Sequence, residues 1–159
     1  MGVIDIRIAD ANDAEELAEL RWEFRAGLEP AAEPHDAFVT RCAAWMRHEL
    51  RPADAWRAWA ALRDGTIVGQ VWLRTLPKIP NPVAERDHHA YLSNFYVKPS
   101  ERGGTGTALL EAAIAWARGQ EIDRVVLWPS RPSVTLYARH GFTHAGDVME
   151  LAIGKPRTH

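Results

Sequence analysis

The chain has 159 residues, of which 47% are hydrophobic and 25% are charged, and its formal net charge is -2 at pH 7. A chain of this size and composition is expected to form one globular domain over residues 1–159, with its own hydrophobic core. The slightly negative charge provides no overall basic field to hold nucleic acids or anionic membranes, so neither is an expected partner.

Two features of the sequence favour a cytoplasmic location. The N-terminal residues show no basic region followed by an apolar run, and no segment approaches the ~20 apolar residues of a membrane span. Cys42 is the only cysteine, so the chain cannot form an internal disulfide, which suits a reducing compartment. We expect Cys42 to be a buried structural residue and not a nucleophile.

The first fifty residues are predicted to form one strand and two helices. Isoleucines recur at every second position over residues 4–9, which is the pattern of a strand with one buried face. Apolar residues recur at three- and four-residue spacing over residues 13–28 and again over residues 38–50, which predicts two successive helices. Asn12 or Asp13 is available to cap the first helix.

The middle of the chain is predicted to be rich in β-structure. Residues 56–62 and 66–76 have strand character, and the Asp64-Gly65 pair between them is a strong signal for an antiparallel hairpin. Residues 77–89 contain three prolines and end in charged and polar residues, which indicates an irregular surface loop. The apolar and aromatic run over residues 90–97 predicts a central strand.

The remaining elements alternate between helix and strand. A helix with an apolar stripe is predicted from about Thr105, followed by a buried strand over residues 124–128. A short helix is predicted over residues 133–140, and two closing strands over residues 142–145 and 148–153. The predicted order is therefore βααββ followed by βαβαββ.

A glycine-rich turn joins the central strand to the helix that follows it. Gly103, Gly104 and Gly106 fall within four residues and allow the backbone to come close to a ligand. The first amide groups of the next helix have no intrahelical acceptor, and the positive end of the helix dipole lies beside them. This layout predicts an anion-binding site, most simply for phosphate.

The turn does not match two common phosphate-binding motifs. A Walker loop ends in Gly-Lys-Ser or Gly-Lys-Thr, whereas Gly106 is followed by Thr107 and Ala108. A dinucleotide-binding fingerprint needs a third glycine three residues after Gly106, where the chain has Leu109. We therefore expect neither a P-loop nor a Rossmann-type site.

Two segments resemble the sequence motifs of the GNAT superfamily of acyl-CoA-dependent N-acyltransferases. Residues 95–110 are similar to its strand, proline, glycine-turn and helix signature, and residues 136–142 are similar to its Leu-Tyr-x-x-x-Gly-Phe signature. The order and separation of elements match over roughly residues 3–153. The resemblance implies an α/β (α+β) fold, with a mixed, mostly antiparallel twisted sheet flanked by helices on both faces.

The resemblance also implies that acetyl-CoA is the co-substrate, with its pyrophosphate on the glycine turn and its pantetheine along the preceding strand. Backbone groups of Phe95, Tyr96 and Val97 would then bind the pantetheine amides in the manner of an added strand. The residues implied to bind the phosphates are Arg102, Gly103, Gly104, Thr105, Gly106 and Thr107.

Two positions depart from the pattern of the superfamily. Glu101 stands where glutamine or arginine is usual, and the segment between Pro99 and the glycines is one residue short. Arg102 and the backbone amides would then carry phosphate binding. Ser130 stands at the position of a frequent asparagine, so a hydroxyl would replace the usual amide near the pantetheine.

Tyr137, which belongs to the second motif, is the candidate general acid and is also implied to contact the cofactor. When an amine attacks a thioester, CoA departs as a thiolate, which a nearby phenol can protonate or hydrogen-bond. The unperturbed pKa of tyrosine, about 10, keeps the phenol protonated at neutral pH.

An attacking amine also needs a group that removes its proton. Glu85 and the histidines at 88 and 89 are candidates for a base near the predicted central strand, and Ser93 and Asn94 on that strand are candidates for holding a relay water. The Glu85-x-x-His88-His89 sequence lacks the helical context and first histidine of a zinc motif, so no metal is expected.

The sequence therefore predicts an N-acetyltransferase that moves an acetyl group from acetyl-CoA to a primary amine by direct attack in a ternary complex. Its partner would be a small-molecule or peptide amine, and a homodimer remains an open alternative to a monomer. Trp22 and Trp72 are candidates for the wall of an acceptor pocket. The rival hypothesis is a non-catalytic acyl-CoA-binding module that acts as a sensor or in assembly.

Overall fold

The structure is a computed structural model that describes residues 2–52 and 55–154. The chain forms two compact units, a larger one that ends at Leu127 and a smaller one that begins at Trp128. No helix among the described residues is both long enough and apolar enough to span a membrane.

Within the described residues, the larger unit carries a β-sheet and helices, and the smaller unit carries one short α-helix. The strands of the larger unit are β1 (Ile4–Ile8), β2 (Trp56–Arg63), β3 (Thr66–Pro77), β4 (His88–Val97) and β5 (Ile122–Val126). Its α-helices are α1 (Ala14–Ala26), α2 (His35–Glu49) and α3 (Thr105–Arg118), and the helix of the smaller unit is α4 (Val134–Arg139).

The five strands form one sheet in the order β1-β2-β3-β4-β5. The first three strand pairs are antiparallel, and the pair β4–β5 is parallel. The predicted mixed, mostly antiparallel sheet is thus confirmed. The predicted hairpin is formed by β2 and β3, with Asp64 and Gly65 at φ angles of 51° and 80°, both in the left-handed region that this kind of two-residue turn requires.

The side chains of successive residues of β2 point to opposite faces of the sheet, and on each face they pack against helices. Ala58 and Ala60 belong to the buried cluster that includes residues of α1 and α2. Trp59, between them, packs on the other face against Trp116 of α3, with ring centroids 5.8 Å apart. This two-residue alternation places helices on both faces, as predicted.

A buried glutamine joins α1 to the sheet. Gln70 of β3 is fully buried, and its side-chain Nε2 donates a hydrogen bond of 2.9 Å to the carbonyl oxygen of Leu17 in α1. Its Oε1 accepts a hydrogen bond of 2.8 Å from the indole nitrogen of Trp72. The amide therefore satisfies one helical carbonyl and one buried indole at once, which fixes both in place.

The start of α1 matches the predicted cap in position but not in its hydrogen bond. Asp13, one of the two predicted residues, is the N-cap of α1, and its side chain forms no capping hydrogen bond with that helix. A short 3-10 turn over Ala11–Asp13 precedes the helix, and the N-cap of this turn is Asp10. Oδ1 of Asp10 accepts a hydrogen bond of 2.8 Å from the backbone N–H of Asn12, and Oδ2 of Asp13 accepts one of 2.8 Å from the N–H of Asp10. This reciprocal pair is a capping box, set one turn earlier than the helical periodicity suggested.

The carboxylate of Asp13 also accepts two hydrogen bonds from Arg7 on β1. NH1 donates to Oδ2 at 2.8 Å, and NH2 donates to Oδ1 at 2.9 Å. The hydrogen bonds from Arg7 are the largest of the effects that lower the pKa of Asp13, and this carboxylate is buried. The pair ties the edge strand to the beginning of α1.

Two predictions for the C-terminal part were wrong. The strand predicted over residues 124–128 is present as β5 (Ile122–Val126), but the prediction that it is buried was wrong, because it is an edge strand and only Ile122 is buried. The described residues of 142–145 and 148–153 form no strand. Met149 is 95% exposed there, and an apolar run gains strand structure only when a partner strand and a packing surface are available.

We predict that Asp13→Ala lowers the free energy of unfolding at pH 7 by about 1–3 kcal/mol, because two charge-assisted hydrogen bonds and half of a capping box are lost. Urea denaturation of the wild type and variant measures this difference, with the exposed Glu121→Ala as control. Since the folded pKa of Asp13 is lowered, its contribution is present above the unfolded value of about 3.9 and disappears as the pH falls through the folded value. A difference that stays constant down to pH 2 contradicts this role.

Candidate functional site

The predicted strand, glycine turn and helix lie where the sequence placed them. After β4 ends at Val97, a 3-10 turn over Pro99–Glu101 leads to Gly103 and Gly104, whose φ angles are 114° and 110°. Residues that have a side chain rarely adopt backbone angles in this left-handed region, so glycine is required at both positions. Gly104 is the N-cap of α3, which begins at Thr105.

The first amide groups of α3 have no protein acceptor among the described residues. No side chain in the described part of the chain caps the helix, and the first intrahelical bond runs from the N–H of Ala108 to the oxygen of Gly104, at 3.0 Å. The N–H groups of Thr105, Gly106 and Thr107 are thus left for a ligand or solvent. Together with the dipole of this 14-residue helix, they favour an anion.

A cavity of about 450 Å³ lies at this end of the helix. It is lined by Ile4, Arg63, Ser100, Glu101, Arg102, Gly103, Gly104, Thr105 and Ala108. We call it the glycine-turn cavity. Arg102, which sequence analysis selected for phosphate binding, is part of its wall, and its Nε donates a hydrogen bond of 3.2 Å to the oxygen of Val97 at the end of β4.

An arginine that sequence analysis missed lies in the same wall. Nε of Arg63, the last residue of β2, donates to Oε2 of Glu101 at 2.6 Å, and its NH1 donates to the carbonyl oxygen of Gly2. Glu101 would repel an anion, and the guanidinium of Arg63 offsets that charge. The two residues are 38 positions apart, so no local pattern pointed to the pair.

Strand β4 is interrupted by a bulge before it reaches the glycine turn. The register between β3 and β4 shifts so that Asn94 and Phe95 together lie against the single residue Val71. Asn94 has a φ angle of 52°, in the left-handed region that asparagine tolerates better than most residues. Beyond the bulge, Tyr96 and Val97 pair regularly with β3. A bulge of this kind bends the strand and redirects its side chains.

A second cavity, of about 370 Å³, is formed by α1, α2 and the strands β2, β3 and β4. It is lined by Arg21, Phe38, Arg41, Cys42, Trp45, Met46, Trp56, Trp72, Tyr91, Ser93 and Asn94. We call it the tryptophan cavity. It contains Trp72 and Ser93, which sequence analysis selected, but not Trp22, which packs behind it on Phe38 with ring centroids 5.8 Å apart.

Polar groups of β4 face this cavity beside the bulge. The Tyr91 hydroxyl donates to Oγ of Ser93 at 3.2 Å, and NH1 of Arg21 donates to Oδ1 of Asn94 at 3.3 Å. Cys42 is half-buried, and burial raises the pKa of its thiol, which disfavours the reactive thiolate. Glu85 lines neither of the two cavities; on its loop it lies 3.5 Å from Nζ of Lys78 and accepts a hydrogen bond from Asn81.

The smaller unit holds the other two predicted site residues. Tyr137 of α4 is buried, and its ring packs on that of Phe142 with centroids 5.5 Å apart. Burial raises its pKa to about 12, so its phenol stays protonated at neutral pH. Ser130 is exposed, and its hydroxyl lies 2.9 Å from that of Ser133.

The model of the acetyltransferase (GNAT) family matches residues 14–142 of the chain, which include both the glycine turn and the Tyr137 motif. The chain belongs to the GNAT acetyltransferase family. The resemblance recognised in the sequence is thus confirmed. Comparison with curated proteins returned no match.

Solved structures of GNAT acetyltransferases share the fold. A GCN5-related N-acetyltransferase from Ralstonia eutropha JMP134 is 24% identical, with a TM-score of 0.76 and coverage of 96% of this chain and 100% of that chain. A predicted acetyltransferase from Clostridium acetobutylicum, solved with acetyl-CoA, is 20% identical, with a TM-score of 0.74 and coverage of 95% and 97%.

A third structure is the ribosomal-protein-alanine N-acetyltransferase from Brucella melitensis biovar Abortus 2308. It is 25% identical, with a TM-score of 0.69 and coverage of 96% of this chain and 100% of that chain. These likenesses confirm the fold class expected from the GNAT motifs.

We predict opposite effects of the two charged residues of the glycine-turn cavity on anion binding. Glu101→Gln removes a negative charge and should tighten the binding of inorganic pyrophosphate about fivefold, or about 1 kcal/mol, whereas Arg63→Gln should weaken it by a similar factor. Isothermal titration calorimetry at low salt measures both, with Arg118→Gln at the far end of α3 as control. Equal affinities of the wild type and Glu101→Gln would contradict the placement of this carboxylate.

Proposed function

We propose that the chain is an acetyl-CoA-dependent N-acetyltransferase that acts on a primary amine within a ternary complex. The observation that carries the proposal is the N-terminus of α3, where three amide N–H groups have no described protein acceptor. The first of them belongs to Thr105, which lines a cavity that also contains two arginines. This is a site for a pyrophosphate group, and the chain belongs to a family of acetyltransferases.

The glycine-turn cavity fits the phosphates of acetyl-CoA. A Cβ atom added to Gly103 or Gly104 would meet no other atom within 4 Å, so the backbone of the turn is open to a ligand. Arg102 and the amides of Thr105, Gly106 and Thr107 would hold the phosphate oxygens. Arg63 would add a second cation while it offsets the charge of Glu101.

The strand before the turn fits an extended ligand such as pantetheine. The ladder between β4 and β5 includes only His88, His89, Ala90 and Tyr91 of β4. The segment that follows, which includes Phe95, Tyr96 and Val97, lies outside this ladder. Amide groups of an extended ligand would be recognised there by the main chain, as in β-strand addition.

When bound, acetyl-CoA supplies a thioester whose carbonyl carbon bonds to the amine nitrogen as its C–S bond breaks, and the proton lost by the amine is balanced by protonation of the CoA sulfur. The chain has to orient the two reactants, an effect worth up to ~7–11 kcal/mol in favourable cases. It also has to support two proton transfers, one from the amine and one to the CoA sulfur.

We assign the proton-donating role to Tyr137. Its pKa of about 12 keeps the phenol protonated over the whole physiological pH range, as a general acid requires. Ser130, in the same unit, stays the candidate for a hydroxyl contact to the cofactor.

The acceptor amine is proposed to bind in the tryptophan cavity. This cavity adjoins β4 at Asn94, directly before the segment assigned to the pantetheine. We assign to Ser93, whose hydroxyl accepts a hydrogen bond from Tyr91, the role of holding a water that takes the proton of the amine. Glu85 is the alternative acceptor of this proton, although its carboxylate is engaged with Lys78.

We predict that Gly106→Leu raises the dissociation constant for acetyl-CoA at least tenfold, because a side chain in the first turn of α3 obstructs phosphate binding. Gly106 does not have a positive φ angle, so the substitution brings no backbone strain and should leave the unfolding midpoint unchanged or raise it slightly. Calorimetric titration with acetyl-CoA measures the affinity, with Gly146→Leu at an exposed position as control. Unchanged affinity in the folded variant would refute the phosphate assignment.

We predict that Tyr137→Phe lowers kcat by ~10²- to 10⁴-fold while the affinity for acetyl-CoA changes little, because a proton donor is lost but the ring is kept. Release of CoA over a panel of amines measures the rate. Tyr96→Phe is the matched control, because only the backbone of Tyr96 is assigned to the cofactor and the variant keeps the ring that stacks on Phe24. Tight acetyl-CoA binding without turnover of any amine by the wild type would favour the non-catalytic module instead.

A further inference from the structure

The tryptophan cavity has a wall of aromatic rings that suits a flat apolar group. The indole rings of Trp45, Trp56 and Trp72 lie in mutual contact, with centroid distances of 5.9, 5.8 and 6.0 Å. The indole N–H of Trp72 is already donated to Gln70, so its polar group is satisfied without a ligand. Aromatic pairs of this kind bind a further ring through large apolar contact area.

The same cavity contains a cation with no anionic partner among the described residues. Arg21 is half-buried in α1, and burial lowers the pKa of its guanidinium, although a guanidinium stays protonated. Within the described part of the chain, no carboxylate forms an ion pair with Arg21, and its hydrogen bond goes to the neutral amide of Asn94. A desolvated charge with only a neutral partner is costly unless a ligand supplies the opposite charge.

The remaining charges around the cavity favour a negative ligand group. Its lining includes two arginines and no acidic residue. Arg41, the other arginine, is paired with Glu33, so its charge is already offset. Arg21 is therefore the cation left to receive an anion, and a polycationic acceptor such as a polyamine would meet repulsion without compensation.

On the basis of the proposed acetyl transfer, we propose that the acceptor is a small arylalkylamine that carries a carboxylate, with its ring against Trp45, Trp56 and Trp72 and its carboxylate on Arg21. The fork of a guanidinium matches the two oxygens of a carboxylate. The volume of the cavity, about 370 Å³, is at the small end of the range of ~300–1,000 Å³ for small-molecule sites.

Amines that differ only by the carboxylate test this substrate class in the wild-type protein. The pairs are L-phenylalanine with phenethylamine and L-tryptophan with tryptamine, and spermidine serves as a polycation. We expect kcat/KM for CoA release to be at least tenfold higher for the carboxylate-bearing member of each pair. Equal or better turnover of phenethylamine, tryptamine or spermidine overturns the proposal.

Variants of the arginine test the contact itself. Arg21→Gln should reduce the preference for the carboxylate-bearing amine to less than twofold, mainly through KM, and Arg21→Lys should retain part of it because the charge remains. Arg25→Gln, one turn further along α1 on an exposed residue, should leave the preference unchanged. A full preference in folded Arg21→Gln overturns the assignment of Arg21.

A binding measurement separates this proposal from the proposed activity. The probe is 3-phenylpropionate, which has the ring and the carboxylate but no amine, and its reference compound is 3-phenylpropanol. We expect calorimetry to show tighter binding of the acid by the wild type and loss of this difference in Arg21→Gln. Arg21-dependent binding without acetylation of any amine would refute the activity and support the ligand class. Acetylation with no difference between acid and alcohol would support the activity and overturn the ligand class.

Discussion

The hydrogen bonds of Gln70 are the constraint on which the tryptophan cavity depends. A fully buried amide in the middle of a sheet is tolerated because both of its polar atoms have partners, and those partners belong to different elements. One bond holds α1 at a fixed height above β3, and the other fixes the ring of Trp72. The positions of Arg21, on the same helix, and of the aromatic wall are therefore coupled through one side chain.

The two cavities present their charges in different ways. At the glycine turn, the helix amides and dipole supply the positive potential, and the side-chain charges of Arg63 and Glu101 offset each other. In the tryptophan cavity the positive potential comes from a single desolvated guanidinium, in surroundings that strengthen its field. The first arrangement suits a highly charged group that stays partly hydrated, and the second suits one small anion that loses its water.

Features encoded by neighbouring residues could be predicted, and features encoded by distant ones could not. The hairpin at Asp64 and Gly65 and the turn at Gly103 and Gly104 need backbone conformations that glycine and aspartate signal locally. The contact between Arg21 and Asn94 joins residues 73 positions apart and depends on how α1 crosses the sheet. The prediction of two closing strands over residues 142–145 and 148–153 was wrong for a related reason. A strand requires a partner strand, which the sequence of the segment itself does not specify.

The last part of strand β4 sets a fixed distance between the tryptophan cavity and the segment that leads into the glycine turn. From the bulge at Asn94 to Lys98, just beyond its end, the chain advances four residues, or about 13 Å at ~3.3 Å per residue. Substitutions along this segment leave the distance intact. Insertion or deletion of one residue would change it and would also turn every following side chain to the opposite face of the sheet. A substitution in this segment therefore preserves the spacing that the segment sets, whereas an insertion or a deletion does not.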